Sequence, residues 1–151
     1  MTMNVHELAD RIEIQDTITR YSTALDVPGR RWDEWDRCFA PDAIIEDLAG
    51  PGSRMGRDEM REFFSKNDAV RLTTQHLLAN FVISVDGDTA TARTEGSYAS
   101  LNRTDTPGRA RLNRSGYWYE DHLVRLDEGW RIKWRKFHSR WRTAEEIDWA
   151  Y

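Results

Sequence analysis

The sequence is short of the residues that staple, ligate or anchor. It holds one cysteine, Cys38, so no internal disulfide can form, which suits a reducing compartment. Its neighbours Asp36 and Arg37 give no sign of an activated thiol, and Cys38 reads as core filler. The four histidines, His6, His76, His122 and His138, are dispersed, with neither HxH nor HExxH spacing, so there is no metal motif. There is no GxGxxG and no Walker-type loop, and a cofactor-free reaction is the expectation. No apolar run approaches the ~20 residues that cross a bilayer. The opening MTMNVHELADRIEIQ lacks an apolar signal-peptide region and already reads as an amphipathic helix, so the cytoplasm is the expected location and no membrane role follows. A net charge of −4 removes any global electrostatic case for nucleic acid. No internal repeat or low-complexity segment is present.

What is abundant is aromatic. Seven Trp, five Tyr and five Phe are many for 151 residues; most belong in core and interface, and the rest favour a flat, hydrophobic small molecule as partner. The length fits one domain, residues 1–151, able to bury a core without staples.

The stretch from Ile14 to Phe39 organises the chain. Ile14, Ile18, Tyr21 and Leu25 fall at spacings of four, three and four, one face of a helix predicted over 5–25, whose apolar set also includes Val5, Leu8 and Ile12. Asp26 follows where that face ends, before a break at Pro28-Gly29. A short helix is predicted over 31–38, a strand over 43–48, a turn at 50–52 and a third helix over 57–67. From residue 73 the chain turns to strands: 73–85, 89–103, 112–126 and 130–141, with tight turns at Asp86-Gly87-Asp88 and Asp127-Glu128-Gly129 and a loop over 104–111. The tail RTAEEIDWAY is left as a turn of helix or an interface strap. Helices first and a strand meander after is α+β: a strongly curved, mostly antiparallel sheet closed by N-terminal helices around a pocket.

Several separated motifs carry a resemblance: IxDxIxxY at Ile14–Tyr21, Asp26, WDxCFAPDA at Trp35–Ala43, GxxxMRxFF at Gly56–Phe64, TxH at Thr74–His76 and DEGWRI at Asp127–Ile132. Together, over nearly the whole chain, they resemble the SnoaL-like branch of the NTF2-like superfamily, which implies a cone-shaped α+β fold. Asp26 and His76 look like the catalytic Asp-His dyad found there in scytalone dehydratase, bile-acid 7α-dehydratase and hexachlorocyclohexane dehydrochlorinase. Tyr21 also matches a tyrosine of the bile-acid enzyme. The resemblance further implies self-association, with a trimer favoured.

His76 suits a general base because imidazole titrates near neutrality, and a carboxylate on the far ring nitrogen would hold its tautomer. The competing reading makes His76 a hydrogen-bonded core residue and Asp26 a helix cap. Tyr21, Tyr98 and Tyr119 are candidate donors to a leaving oxygen. Trp35 and Phe137 are expected at the substrate, and Gly96 in mid-strand suggests a bend or close approach by a ligand. Strict alternation in the last strand puts Arg131, Lys133, Arg135, Phe137 and Ser139 on one face. Arg135 is the match to a pocket-facing basic residue of similar enzymes, with His138 as a reserve acid or base. These residues point to a cofactor-independent lyase of the dehydratase type; an isomerase, a ligand-binding domain and a non-catalytic small subunit of an aromatic-ring dioxygenase are the alternatives.

Overall fold

The computed structural model describes residues 4–149. Helix α1 spans Val5–Asp26, α2 Trp32–Asp36 and α3 Arg57–Ser65; the strands are β1 Phe39–Glu46, β2 Arg54–Met55, β3 Arg71–Asp86, β4 Thr89–Arg103, β5 Arg109–Leu126 and β6 Gly129–Asp148. They form one six-stranded sheet in the order β2-β1-β6-β5-β4-β3. Every neighbouring pair is antiparallel except β1 with β6. Among the described residues no helix is long and apolar enough to cross a membrane.

Asn4 caps α1, its Oδ1 accepting from the Glu7 N–H at 2.8 Å, which satisfies one of the orphan donors of the first turn. The predicted apolar face holds for the second half of the helix, where Ile14, Ile18, Tyr21 and Leu25 are buried. It fails for the first half: Val5, Leu8 and Ile12 are 80, 49 and 55% exposed. Polar side chains dock that half instead. Arg11 donates to the Ile83 carbonyl, Asp10 pairs with Arg125, and Glu13 accepts from the Trp130 N–H. The core lies between α1 and the concave sheet face, with Trp35, Phe39, Met60, Leu123, Trp130 and Ile132 around it.

The strand meander is as expected, and longer. The loop before β5 shrinks to 104–108, β2 is an addition, and the tail is not a turn of helix: β6 runs on to Asp148 against the start of β5. The last two residues of that tail lie outside the described ones.

Gly96 makes room for a side chain and not for a ligand. A Cβ there would stand 2.3 Å from Tyr117 Cε2, so the phenol ring lies across the strand where only glycine leaves space. Gly96→Ala is expected to cost about 1–3 kcal/mol by overpacking, read as a lowered urea midpoint. An unchanged midpoint would mean that the ring is not held there.

Candidate active site

Asp26 is the last residue of α1, the end of a helix where a negative charge is unfavourable. An acceptor-only carboxylate cannot cap carbonyl groups, so the helix-cap reading of Asp26 does not hold. The cap is cationic: Arg71 Nη1 donates to the Leu25 carbonyl at 3.0 Å. Asp26 instead reaches across to β3. Its Oδ2 accepts from the His76 backbone N–H at 2.7 Å, and its Oδ1 accepts from the Thr74 hydroxyl at 3.0 Å and lies 2.6 Å from His76 Nδ1. Burial opposes ionisation of Asp26, but the His76 ring, its N–H and the Thr74 hydroxyl outweigh it and hold the carboxyl below its ordinary range. In the neutral ring the carboxylate therefore accepts a hydrogen bond from Nδ1–H, and Nε2 carries no hydrogen and has no partner among the described residues.

His76 lines a cavity of about 770 Å³ between the sheet, α1 and α3, within the range of small-molecule sites. His76, Tyr21, Tyr98, Tyr119 and Phe137 all line it. His76 and Tyr98 are directly opposed on β3 and β4, their rings 4.7 Å apart. Tyr21 and Tyr119 meet edge to face at 5.9 Å; burial raises both phenol pKa values, so both are neutral donors.

Three expected residues lie elsewhere. Arg135 is fully buried and does not line the cavity. Its Nε and Nη2 donate to Asp121 at 2.6 and 2.8 Å, and its guanidinium carbon lies 3.9 Å from the Tyr119 ring centroid and 4.6 Å from that of Tyr21. It supports the aromatic wall from behind. Trp35 is fully buried, tilted against Tyr21 at 6.2 Å and outside the lining. His138 is on the outer sheet face, stacked on Trp118 at 3.6 Å and 3.3 Å from Glu120.

Strict alternation fails in β6 because the strand is irregular twice. His122 pairs with Trp134 but Leu123 with Ile132, and Tyr117 pairs with Ser139 but Gly116 with Trp141. Each step inserts one residue, Lys133 and then Arg140, and each flips the side-chain parity. Ile132, Arg135 and Phe137 therefore share the inner face, with Arg131 and Lys133 set apart from that alternation.

Sequence reasoning did not single out Tyr117, whose buried hydroxyl has no hydrogen-bond partner among the described residues although Tyr117 lines the cavity. Its pairing opposite Gly96 was the available signal. Cys38 is core filler as expected: burial pushes its thiol up to about 12, far from a reactive thiolate.

Comparison with known proteins agrees with this architecture. Residues 6–136 match the SnoaL-like domain. An uncharacterized protein of Mycobacterium tuberculosis (strain ATCC 25618 / H37Rv) is 36% identical over 130 residues, 86% of this chain and 85% of its own. A Novosphingobium aromaticivorans protein proposed to be a scytalone dehydratase superposes with a TM-score of 0.79 at 21% identity, covering 98% of this chain and 95% of that one. A type-2 hexachlorocyclohexane dehydrochlorinase, LinA, gives 0.79 at 17% identity over 99 and 98%. The chain belongs to the SnoaL-like family and has the fold of the NTF2-like superfamily.

Proposed function

We propose that the protein is a cofactor-independent lyase that eliminates water from a hydrophobic, aromatic or polycyclic small molecule. The observation that carries the reading is the Asp26–His76 contact at 2.6 Å at the wall of an aromatic-lined cavity. His76 Nε2 takes a proton from the carbon next to the one that bears the hydroxyl. The C–H electron pair becomes the double bond as the C–O bond breaks. The departing oxygen is held by a tyrosine hydroxyl, Tyr117, Tyr119, Tyr21 or Tyr98, and takes up the proton His76 removed, so water leaves and imidazole is restored. Asp26 holds the tautomer and stabilises the transient imidazolium.

Two chains of this fold bear names of elimination enzymes, a dehydratase and a dehydrochlorinase; the fold accommodates such chemistry, and the dyad is the reason to assign it here. An isomerase would use the same proton abstraction. A non-catalytic dioxygenase subunit would have no use for an open cavity beside a bare imidazole nitrogen. The proposed location is the cytoplasm. Self-association through the outer sheet face, where Leu77, Val82 and Trp141 stand exposed, belongs to the same proposal.

The test is a panel of aromatic β-hydroxy carbonyl compounds, followed by absorbance of the conjugated alkene. Product formation by the wild type supports the reading. A panel whose members bind in the cavity but are never converted overturns it in favour of a binding domain.

A further inference from the structure

The charges around the cavity are of one sign. Arg30, Lys66, Arg71, Arg114 and Arg142 line it, and among the described residues no carboxylate does, in a chain whose net charge is −4. Three of the five have carboxylate partners outside the lining, two of them sharing one. Arg30 and Arg71 lie 2.8 and 3.4 Å from Asp68, and Arg114 pairs with Glu145. Lys66 and Arg142 have no carboxylate partner among the described residues. Both are exposed, whereas Tyr21, Tyr117, Tyr119 and Phe137 are buried. The cavity therefore runs from an apolar aromatic floor to a cationic mouth.

Strand register fixes where Arg142 stands relative to the base. His76 pairs with Tyr98, Tyr98 with Ser115 and Ser115 with Arg142. Directly opposed residues project from the same face of a sheet, so these four form one row across the concave surface. Three strand spacings of ~4.8 Å separate the ends of that row by about 14 Å along the sheet, and less across its curvature. The bulge at Arg140 is what turns Arg142 inward; in regular pairing Trp141 would stand opposite Ser115. The backbone of β6 is thus arranged so that an otherwise unpaired guanidinium shares a face with the dyad.

We propose that Arg142 is an anion-binding residue of this cavity, and that the ligand is a hydrophobic acid whose carboxylate sits at Arg142, assisted by Lys66, while its ring system lies over the aromatic floor toward His76. The planar guanidinium fork matches a carboxylate, and its carbon lies 5.8 Å from the Phe137 ring centroid, above the apolar floor. The proposal rests on the cavity being the substrate site and not on the elimination step itself.

The experiment compares 2-naphthoate with 2-naphthamide, the same ring with and without the charge, by calorimetric titration of the full chain. His76 ring resonances are followed to place the probe in the cavity. It is repeated in the His76→Ala protein, so that binding is read whether or not the protein is a lyase. The carboxylate is expected to bind about tenfold tighter or better, with an advantage that shrinks as salt is added. Arg142→Gln removes that advantage, Arg142→Lys restores part of it, and Lys66→Gln removes a smaller share; 2-naphthamide binds all of them alike. Equal affinities in the wild type, no binding of either probe, a probe that leaves His76 unmoved, or a preference that survives Arg142→Gln overturns the proposal.

Discussion

Replacing His76 with Ala is expected to lower turnover of an identified substrate by about 10²–10⁴-fold, the usual contribution of a positioned general base. The fold should survive. Asp26 keeps two of its three donors, the Thr74 hydroxyl and the backbone N–H of residue 76, so no buried carboxylate is left bare. The loss should therefore fall on kcat, with a melting temperature close to that of the wild type. Unchanged turnover would remove His76 from the mechanism, and with it the reason for reading the cavity as catalytic.

The largest expected loss of stability comes from a residue that touches no substrate. Asp121 and Arg135 are both fully buried, and the guanidinium has a further nitrogen, Nη1, without a partner among the described residues. Asp121→Ala would leave an uncompensated cation sealed between two phenol rings, at a cost of about 3–5 kcal/mol. Arg135→Met in the Asp121→Leu background removes both charges and should recover most of that, because desolvating an ion pair offsets much of its attraction. Urea denaturation of the two variants reads the difference. A loss below about 1 kcal/mol in Asp121→Ala would mean that water reaches Arg135, as only an exposed pair is worth so little. The same variant should loosen Tyr21 and Tyr119, since the guanidinium sits against both rings.

The contrast between these residues shows what was legible in the chain. The helical spacing from Ile14 to Leu25 located the end of α1 and so Asp26, and the β-rich run around Thr74–His76 supplied its partner. Both features are local, and local periodicity is where sequence speaks most clearly. Turn chemistry at Asp86-Gly87-Asp88 and Asp127-Glu128-Gly129 marked two hairpins for the same reason. The misplacements have separate physical sources. Arg135 was assigned to the right face of β6 for the wrong reason, since Lys133 and Arg140 each insert a residue and reset the alternation, and insertion of this kind leaves no compositional trace. Arg142 lies past the strand end expected at 141, and its inward turn depends on the second insertion. Val5, Leu8 and Ile12 continued the apolar pattern of α1, but that half of the helix meets Ile83 O, Arg125 and Trp130 N–H, which engage its polar side chains. Pattern cannot say where a neighbour stops. Gly96 stood out as a bend or a place for a ligand; that the space is taken by Tyr117 follows only from strand register.

Asp26 fixes neutral His76 as the Nδ1–H tautomer, with Nε2 bare. Asp26→Asn tests this sharply. The His76 backbone N–H can only donate, so the Asn oxygen must stay at the Oδ2 position. The new NH₂ group then falls where Oδ1 met the ring and turns Nδ1 into an acceptor, moving the hydrogen to Nε2. The measurement is the long-range ¹H–¹⁵N correlation spectrum of the His76 ring in both proteins, at a pH where the imidazole is neutral. The expected result is a protonated Nδ1 and a bare Nε2 in the wild type, exchanged in Asp26→Asn. A wild-type ring that already carries its hydrogen on Nε2, or a tautomer that the substitution leaves unchanged, would contradict it.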